Sequence, residues 1–143
     1  MEDNKKIESG FSIKNIILIE STFSRVNNVV FENIHNDINI NVNVSVDGNN
    51  ITVEETVDIS QKHNGNEQVK FRVKMIGLFE KIGESEITDL DSFGRINGGS
   101  IIYPYIREHI SNIALKAGIG VLILPPVNFV NGIQSAQTQK KDI

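Results

Sequence analysis

Three histidines are the residues in this sequence most suited by type to metal binding or catalysis. His35, His63 and His109 share no common spacing, and the chain contains no cysteine. A zinc site needs clustered nitrogen or sulfur ligands. No serine stands in a G-x-S-x-G motif, the strained turn that exposes a nucleophile in many hydrolases. The histidines are therefore predicted to be solvated or capping residues, with no metal site among them.

An acidic run and a glycine-rich stretch are the other candidates for chemistry. The run contains Glu84, Glu86, Asp89 and Asp91, but its glycine and final glutamate do not fall at the positions that a calcium loop requires. The stretch GRINGG, residues 94–99, matches neither a P-loop nor a dinucleotide-binding fingerprint. We predict no cofactor and no enzymatic activity.

Length and composition describe an ordinary globular chain. Its 143 residues suit one domain, and 39% of them are apolar. The net charge of −4 argues against nucleic acid as a partner, because that binding depends on basic patches. The first residues are polar and no apolar run approaches 18 residues, so we expect a cytoplasmic protein without membrane insertion. We predict a disordered arm over 1–10, a single domain over 11–133 and a polar tail over 134–143.

Alternating apolar residues predict four strands, near 11–24, 34–46, 51–60 and 68–76. DGNN at 47–50 and HNG at 63–65 supply turns between them. Matching the dry faces of the last two strands favours a three-residue loop, which pairs Asp58 with Lys70 and Glu54 with Lys74. The prediction is a four-stranded antiparallel sheet with one apolar face and one polar face.

One long helix should follow the sheet. Ile102, Ile106, Ile110, Ile113 and Ala117 recur at helical spacing. Pro104 suits a first helical turn and Gly118 a C-terminal stop, so NGG before the helix is predicted to be a loop. The class is α+β, and one helix leaves part of the dry face for the opening stretch or another subunit to cover.

Three apolar groups have no obvious place in this scheme. They are residues 29–31, residues 78–79 and the stretch VLILPPVNF at 121–129, whose double proline rules out a regular helix. One interpretation is that they complete the core or an oligomer interface. The other is that they line a groove for an extended apolar peptide, since large exposed apolar patches mark binding sites.

The order of these pieces resembles the SecB family of bacterial export chaperones. The resemblance covers about residues 11–133 and is most specific in YPYIREHISNIALKAGI and in LPPVNF after it. It implies a four-stranded antiparallel sheet, one long helix, an extended proline-containing loop and a short C-terminal helix. It also implies a homotetramer, a dimer of dimers, whose apolar grooves hold unfolded preproteins for export.

The resemblance assigns roles to individual positions. The client-binding residues it implies are Val30, Phe31, Leu78, Phe79, Leu122, Leu124, Pro126, Val127, Phe129 and Ile133. The oligomer interface it implies contains Ile13, Ile17, Ile106, Ile110 and Ile113.

The expected docking face for the translocase motor SecA departs from the family pattern. Family members present carboxylates there. Glu20 retains one, but Ser24 and Arg72 stand at the other two positions and Lys70 and Lys74 add positive charge. Fewer carboxylates weaken charge complementarity, so weakened SecA docking is expected.

The function predicted is an ATP-independent holdase that keeps preproteins competent for translocation. One alternative is a SecB-like chaperone dedicated to the antitoxin of a toxin–antitoxin system. Another, of a different class, is a ligand-binding or purely structural oligomer.

Overall fold

An antiparallel sheet of five strands forms the framework in the computed structural model, which describes residues 10–83, 89–120, 124–131 and 139–141. The strands occur in the order β1-β4-β3-β2-β5. Their bounds are β1 Phe11–Arg25, β2 Ile34–Asp47, β3 Asn50–His63, β4 Asn66–Lys81 and β5 Gln139–Lys141. The four predicted strands are confirmed, and β1 joins the sheet beside β4.

Tight turns connect β2, β3 and β4 as the asparagine and glycine residues predict. Gly48 has a φ of 63° between Asp47 and Asn50. Asn64 and Gly65 have φ values of 52° and 82°, and a two-residue turn of type I′ needs positive φ at both central positions. Each turn reverses the chain so that the apolar residues of neighbouring strands share a face.

The register predicted between β3 and β4 is wrong by two residues. Asp58 faces Arg72 rather than Lys70, because the turn has two residues and a bulge follows it. The bulge places Gln68 as the extra residue between the pairs Gln61–Val69 and Lys62–Glu67. One extra residue restores the alignment of the dry faces that a two-residue turn alone would break.

Two further bulges interrupt the periodicity predicted for β1. The register shifts between Ile13 and Asn15 and again between Leu18 and Glu20. As a result Ile16, rather than Asn15, stands opposite Gly77. The single parity predicted for the apolar residues of this strand therefore does not hold along its length.

The helical region begins earlier than the sequence predicts. It consists of α1 (Leu90–Phe93), a π-helical segment (Gly94–Gly98) and α2 (Gly99–Lys116). The Asp89 side chain caps α1 by accepting from the Ser92 backbone N–H at 3.0 Å. The stretch NGG is therefore helical, and Pro104 lies inside α2 rather than in its first turn.

Close packing explains why glycines occur in this helical region. A Cβ on Gly94 would lie 2.8 Å from Val44 Cγ1 and 3.0 Å from Ile51 Cγ2. A Cβ on Gly98 would lie 2.8 Å from Val53 Cγ2. These neighbours are branched at Cβ and rigid, so the glycines allow the backbone to approach the sheet despite a cost of about 1 kcal/mol each in a helix interior.

The end of α2 follows the prediction. Gly118 has a φ of 71°, and its N–H donates to Leu115 O at 3.1 Å. The Ile119 N–H donates to Ala114 O at 3.2 Å. These two bonds form a Schellman motif, which satisfies carbonyls at the helix end.

The core lies between the inner face of β2–β4 and one stripe of α2. The stripe consists of Ile102, Ile106, Ile110 and Ala114, which are fully buried. Against it pack Ile40, Val53, Val57, Ile59, Phe71 and Val73. Four of the exposed large apolar residues lie on the edge strand β1, namely Ile13, Ile17, Leu18 and Ile19.

Part of each predicted terminal region lies outside the described residues. Only Gly10 of the predicted arm 1–10 is described. In the predicted tail 134–143, three residues form β5 and pair with Ile34–Asn36 of β2. Of the expected C-terminal helix, a 3-10 turn at Phe129–Asn131 is described.

Candidate functional site

The segment after the double proline is fastened to α2. The Tyr103 hydroxyl donates to Pro125 O at 2.7 Å, and the Tyr103 and Phe129 rings meet edge to face with centroids 5.7 Å apart. Phe129 also lies over Gly99, where a Cβ would stand 2.8 Å from its ring. The extended segment therefore has a defined seat on the first half of α2.

This segment divides its apolar residues between anchoring and exposure. Leu124 and Phe129 are buried as anchors. Pro126 is exposed, Val127 is half-buried, and Val130 is 66% exposed. Of the predicted client-binding residues here, Pro126 and Val127 thus remain accessible, whereas Leu124 and Phe129 belong to the chain's own core. Leu122 and Ile133 lie outside the described residues.

The β1–β2 loop, residues 26–33, presents a second accessible apolar surface. Val26, Val30 and Phe31 are 44%, 39% and 46% exposed. Three exposed apolar side chains in one loop of eight residues offer a surface for apolar contact. We call Val26, Val30 and Phe31 the loop patch.

The predicted groove residues Leu78 and Phe79 do not come together. Both lie within β4, which continues to Lys81 instead of ending near residue 76. Adjacent strand residues point to opposite faces. Phe79 is 1% exposed in the core, and Leu78 lies on the outer face beside Thr52 and Asn15. The two side chains therefore cannot line one groove.

The predicted interface residues also separate into two groups. Ile106 and Ile110 are 0% exposed and pack within the core of their own chain. Ile113 is half-buried at the edge of that core. Ile13 and Ile17 are 53% and 38% exposed on β1, and they remain available to another chain.

The outer face of the sheet carries an ion-pair cluster centred on Arg72. Its Nη1 lies 2.9 Å from both carboxylate oxygens of Asp58, and its Nε lies 3.3 Å from Glu20 Oε2. The pKa of the Arg72 guanidinium is raised, mainly by Asp58 and to a smaller extent by Glu20. Lys74 approaches Glu54 at 3.7 Å. The Glu20 carboxylate, which the family resemblance places on the expected docking face, is therefore paired within the chain.

Glu55 is a carboxylic acid side chain buried in the apolar core. It shares the inward parity of Val53 and Val57, is 0% exposed, and neither carboxylate oxygen has a hydrogen-bond partner in the described part of the chain. Burial raises the pKa of Glu55 to about 9. Burial is also the main reason that the pKa of Tyr103 is raised to about 12. The Arg107 charge lowers this pKa, and the Glu55 charge raises it further. Strand parity alone could have identified this buried carboxyl.

The histidines make separate local contacts. His35 Nε2 lies 3.0 Å from Asp37 Oδ1, His63 Nδ1 donates to Glu32 O at 2.7 Å, and His109 Nε2 lies 2.8 Å from Ser21 Oγ. Within the ranges that the structure describes, no group of three potential metal ligands is assembled. Over those ranges no helix is long and apolar enough to cross a membrane.

Together, the helix-covered antiparallel sheet and its exposed apolar loop, segment and edge strand define an α+β protein with exposed apolar surfaces, a feature that often marks binding sites. The family model described as preprotein translocase subunit SecB matches residues 4–140. The chain belongs to the SecB family of chaperones, as its sequence resemblance implies.

Curated relatives agree with this assignment. The protein-export protein SecB of Acidithiobacillus ferrooxidans is 30% identical over 111 residues, covering 74% of this chain and 72% of that protein. Its counterpart in Saccharophagus degradans is 30% identical over 99 residues, covering 68% of this chain but 57% of that protein. An uncharacterized protein of Methanocaldococcus jannaschii is 28% identical over 134 residues, covering 94% and 86% of the two chains.

A solved structure shares the fold. The SecB-like chaperone of Mycobacterium tuberculosis, in complex with a ChAD peptide from the HigA1 antitoxin, superposes with a TM-score of 0.69. The two sequences are 18% identical, and the match covers 82% of this chain and 90% of that one. The four-stranded sheet followed by one long helix is thus the SecB-like arrangement.

Proposed function

We propose that this protein is an ATP-independent, non-enzymatic holdase of the cytoplasm that binds apolar segments of unfolded polypeptides. The observation that carries the proposal is the loop patch, whose three apolar side chains face water on a structured loop. Pro126, Val127 and Val130 extend the accessible apolar surface on the segment at α2. Apolar contact is not directional, so client selection by sequence should be weak.

The test of the holdase is aggregation of a chemically denatured protein diluted into buffer without nucleotide. We expect the wild-type chain to suppress light scattering at stoichiometric amounts. A Val30→Ser/Phe31→Ser variant should lose about tenfold in client affinity, because two exposed apolar contacts of about 1 kcal/mol or less each disappear. Ser45→Ala on the outer face serves as a matched surface control. Equal suppression by wild type and the double variant would remove the loop patch from the client site.

The client class has two candidates. Preproteins awaiting export are supported by the relatives named protein-export protein SecB. A single antitoxin is supported by the fold neighbour, whose structure contains a peptide from an antitoxin. The occupied carboxylates around Arg72 favour the second candidate, since a motor that reads free carboxylates would meet an internally paired face.

Weak SecA docking is the measurable consequence of that paired face. We expect little binding of the wild-type chain to SecA in a titration at low salt. Arg72→Ser should strengthen binding several-fold, because it releases Glu20 and Asp58 from their shared cation. Lys62→Ser, which removes a cation paired with Asp37 elsewhere on the sheet, is the matched control. Tight binding by the wild type, insensitive to salt, would contradict the proposal.

We further propose that the chain assembles as a homotetramer, a dimer of dimers. The exposed apolar residues Ile13, Ile17, Leu18 and Ile19 of the edge strand β1 support an interface there. Multi-angle light scattering at micromolar concentration should give the tetramer mass, and Ile13→Ser/Ile17→Ser should lower it. A monomer mass for the wild-type chain would contradict the tetramer. It would also contradict the structural and ligand-binding alternatives, because both are oligomers.

A further inference from the structure

Gln68 occupies the extra position of the bulge between β3 and β4. Its neighbours in the register are the pairs Gln61–Val69 and Lys62–Glu67. The residue is 6% exposed. A buried amide is costly unless its donors and acceptor are bonded, so the partners of Gln68 indicate what the bulge accomplishes.

The partners of the Gln68 amide lie in the β1–β2 loop. Its Nε2 donates to Val30 O at 2.7 Å, and its Oε1 accepts from the Val30 N–H at 3.0 Å. Nε2 also donates to Gln61 Oε1 at 3.3 Å. The side chain thus binds both backbone polar groups of one loop residue, as a neighbouring strand would.

Backbone contacts hold the rest of the loop. The Val26 N–H donates to Gln68 O at 3.0 Å. His63 Nδ1 donates to Glu32 O at 2.7 Å. The two ends of the loop are therefore fixed to β3 and β4, and Gln68 fixes its middle at the residue that carries one side chain of the loop patch.

Fixing the backbone has a direct consequence for the apolar side chains. An unrestrained loop could turn Val26, Val30 and Phe31 toward the protein and away from water. In the structure all three side chains stay exposed, while the Val26 N–H and both backbone polar groups of Val30 are hydrogen-bonded. A contact surface that is ordered before binding loses less conformational entropy when a partner arrives.

We propose that Gln68 is a positioning residue for client binding. It holds the Val30 backbone so that Val30 and Phe31 form a preformed contact point for apolar segments of unfolded polypeptide. The inference rests on the proposed holdase function and assigns a specific residue to its binding site. Gln68 itself is buried and does not contact the client.

The test compares two buried glutamines that share a hydrogen bond. Gln68→Met keeps the side-chain length and removes the amide. Gln61→Met removes the 3.3 Å bond but leaves both bonds to Val30 intact, which makes it the matched control. The probe is reduced, carboxymethylated α-lactalbumin, a permanently unfolded polypeptide, labelled for fluorescence anisotropy. Hydrogen exchange of the Val30 amide is measured on the same full-length samples.

We expect Gln68→Met to weaken client binding about fivefold to tenfold, corresponding to about 1 kcal/mol of lost preorganisation. Val30 amide exchange should accelerate at least about tenfold, since the opening no longer breaks a hydrogen bond. Gln61→Met should stay within about twofold of wild type in both. In a Val30→Ser/Phe31→Ser background, Gln68→Met should weaken binding by less than about twofold, because both apolar contacts that it positions are absent.

Two results would overturn the proposal. One is unchanged Val30 exchange in Gln68→Met, which would show that the amide does not hold the loop. The other is an equal loss of client affinity with and without the Val30 and Phe31 side chains, which would show that Gln68 does not act through these two contacts. If Gln68→Met does not fold, Gln68→Glu replaces it: one oxygen accepts from the Val30 N–H, but the other cannot donate to Val30 O when ionised and repels it, so faster Val30 exchange and weaker client binding are again expected. Failure of the wild-type chain to bind the probe would contradict the holdase itself, while the exchange result would still decide whether Gln68 holds the loop.

Discussion

Replacing Glu55 by leucine is expected to stabilise the protein at pH 7.5 by on the order of 2–4 kcal/mol. The carboxyl is fully buried, has no partner in the described residues, and its pKa is raised to about 9 by burial. In the unfolded chain the same group ionises near the ordinary glutamate pKa of 4.5. Holding it protonated at neutral pH therefore opposes folding.

The sign of the pH dependence follows from the raised pKa. Below about pH 4.5 the carboxyl is protonated in both states and imposes no penalty. Between about pH 4.5 and 9 the unfolded chain binds fewer protons than the folded chain, so this group lowers stability as pH rises. Glu55→Leu removes that slope. Urea unfolding at pH 5, 7.5 and 9, at one fixed protein concentration, measures it.

The control for Glu55 is its neighbour Glu54. Glu54 lies on the outer face, 3.7 Å from Lys74, in a partly exposed ion pair. Glu54→Leu should change stability by less than about 1 kcal/mol, because such pairs contribute little. A wild-type unfolding free energy that is flat from pH 5 to 9, or a destabilised Glu55→Leu variant, would show that Glu55 has a partner or is hydrated.

Truncating Phe129 is expected to produce the largest loss, about 3–5 kcal/mol of unfolding free energy. The ring fills the space over Gly99 and meets the edge of Tyr103. Phe129→Ala therefore leaves a cavity at the point where the segment seats on α2. Chemical denaturation followed by far-ultraviolet circular dichroism measures the change.

The adjacent Val130 provides the control for Phe129. It is 66% exposed, so Val130→Ala should change stability by less than about 0.5 kcal/mol. If the exposed residues of this segment contact clients, Val130→Ala should lower client affinity more than Phe129→Ala does. A Phe129→Ala variant as stable as Val130→Ala would mean that the seat on α2 contributes little to the fold.

The resemblance to SecB implies that Leu124 and Phe129 line the client groove. On that basis Leu124→Ser/Phe129→Ser should lower client affinity more than tetramer stability. Both are buried within the chain, so the stability of the single chain should fall first. Composition and motif could not separate the anchoring residues of the proline segment from its exposed residues. That separation depends on which side faces Tyr103 and Gly99.

The strands were the most predictable part of the fold. Alternation in β2 through β4 identifies the inward residues, because side-chain period and burial agree there. The register needed information that alternation lacks: a two-residue turn and the bulge at Gln68 preserve the same faces as a three-residue loop. The sequence therefore predicts correctly which residues of β3 and β4 face the core, but it pairs them with cross-strand partners two residues away from the observed ones.

The start of the helical region was predicted wrongly for a related reason. Gly94, Gly98 and Gly99 read as loop residues, because glycine is unfavourable in helices. Their role is close approach to Val53 and Phe129, which are distant in sequence. No local pattern distinguishes a glycine that ends a helix from one that allows a helix to pack closely.

The strand order β1-β4-β3-β2-β5 also bears on how the chain folds. β2, β3 and β4 form successive hairpins from local contacts, whereas β1 must wait for β4, with Arg25 pairing with Val69. Closing that longer loop has a greater entropic cost, so the hairpins should form first and β1 should dock late. During synthesis the isoleucine-rich first strand is therefore made early and paired late. A protein proposed to bind unfolded chains would therefore itself expose an unpaired apolar strand, β1, until β4 is available to pair with it.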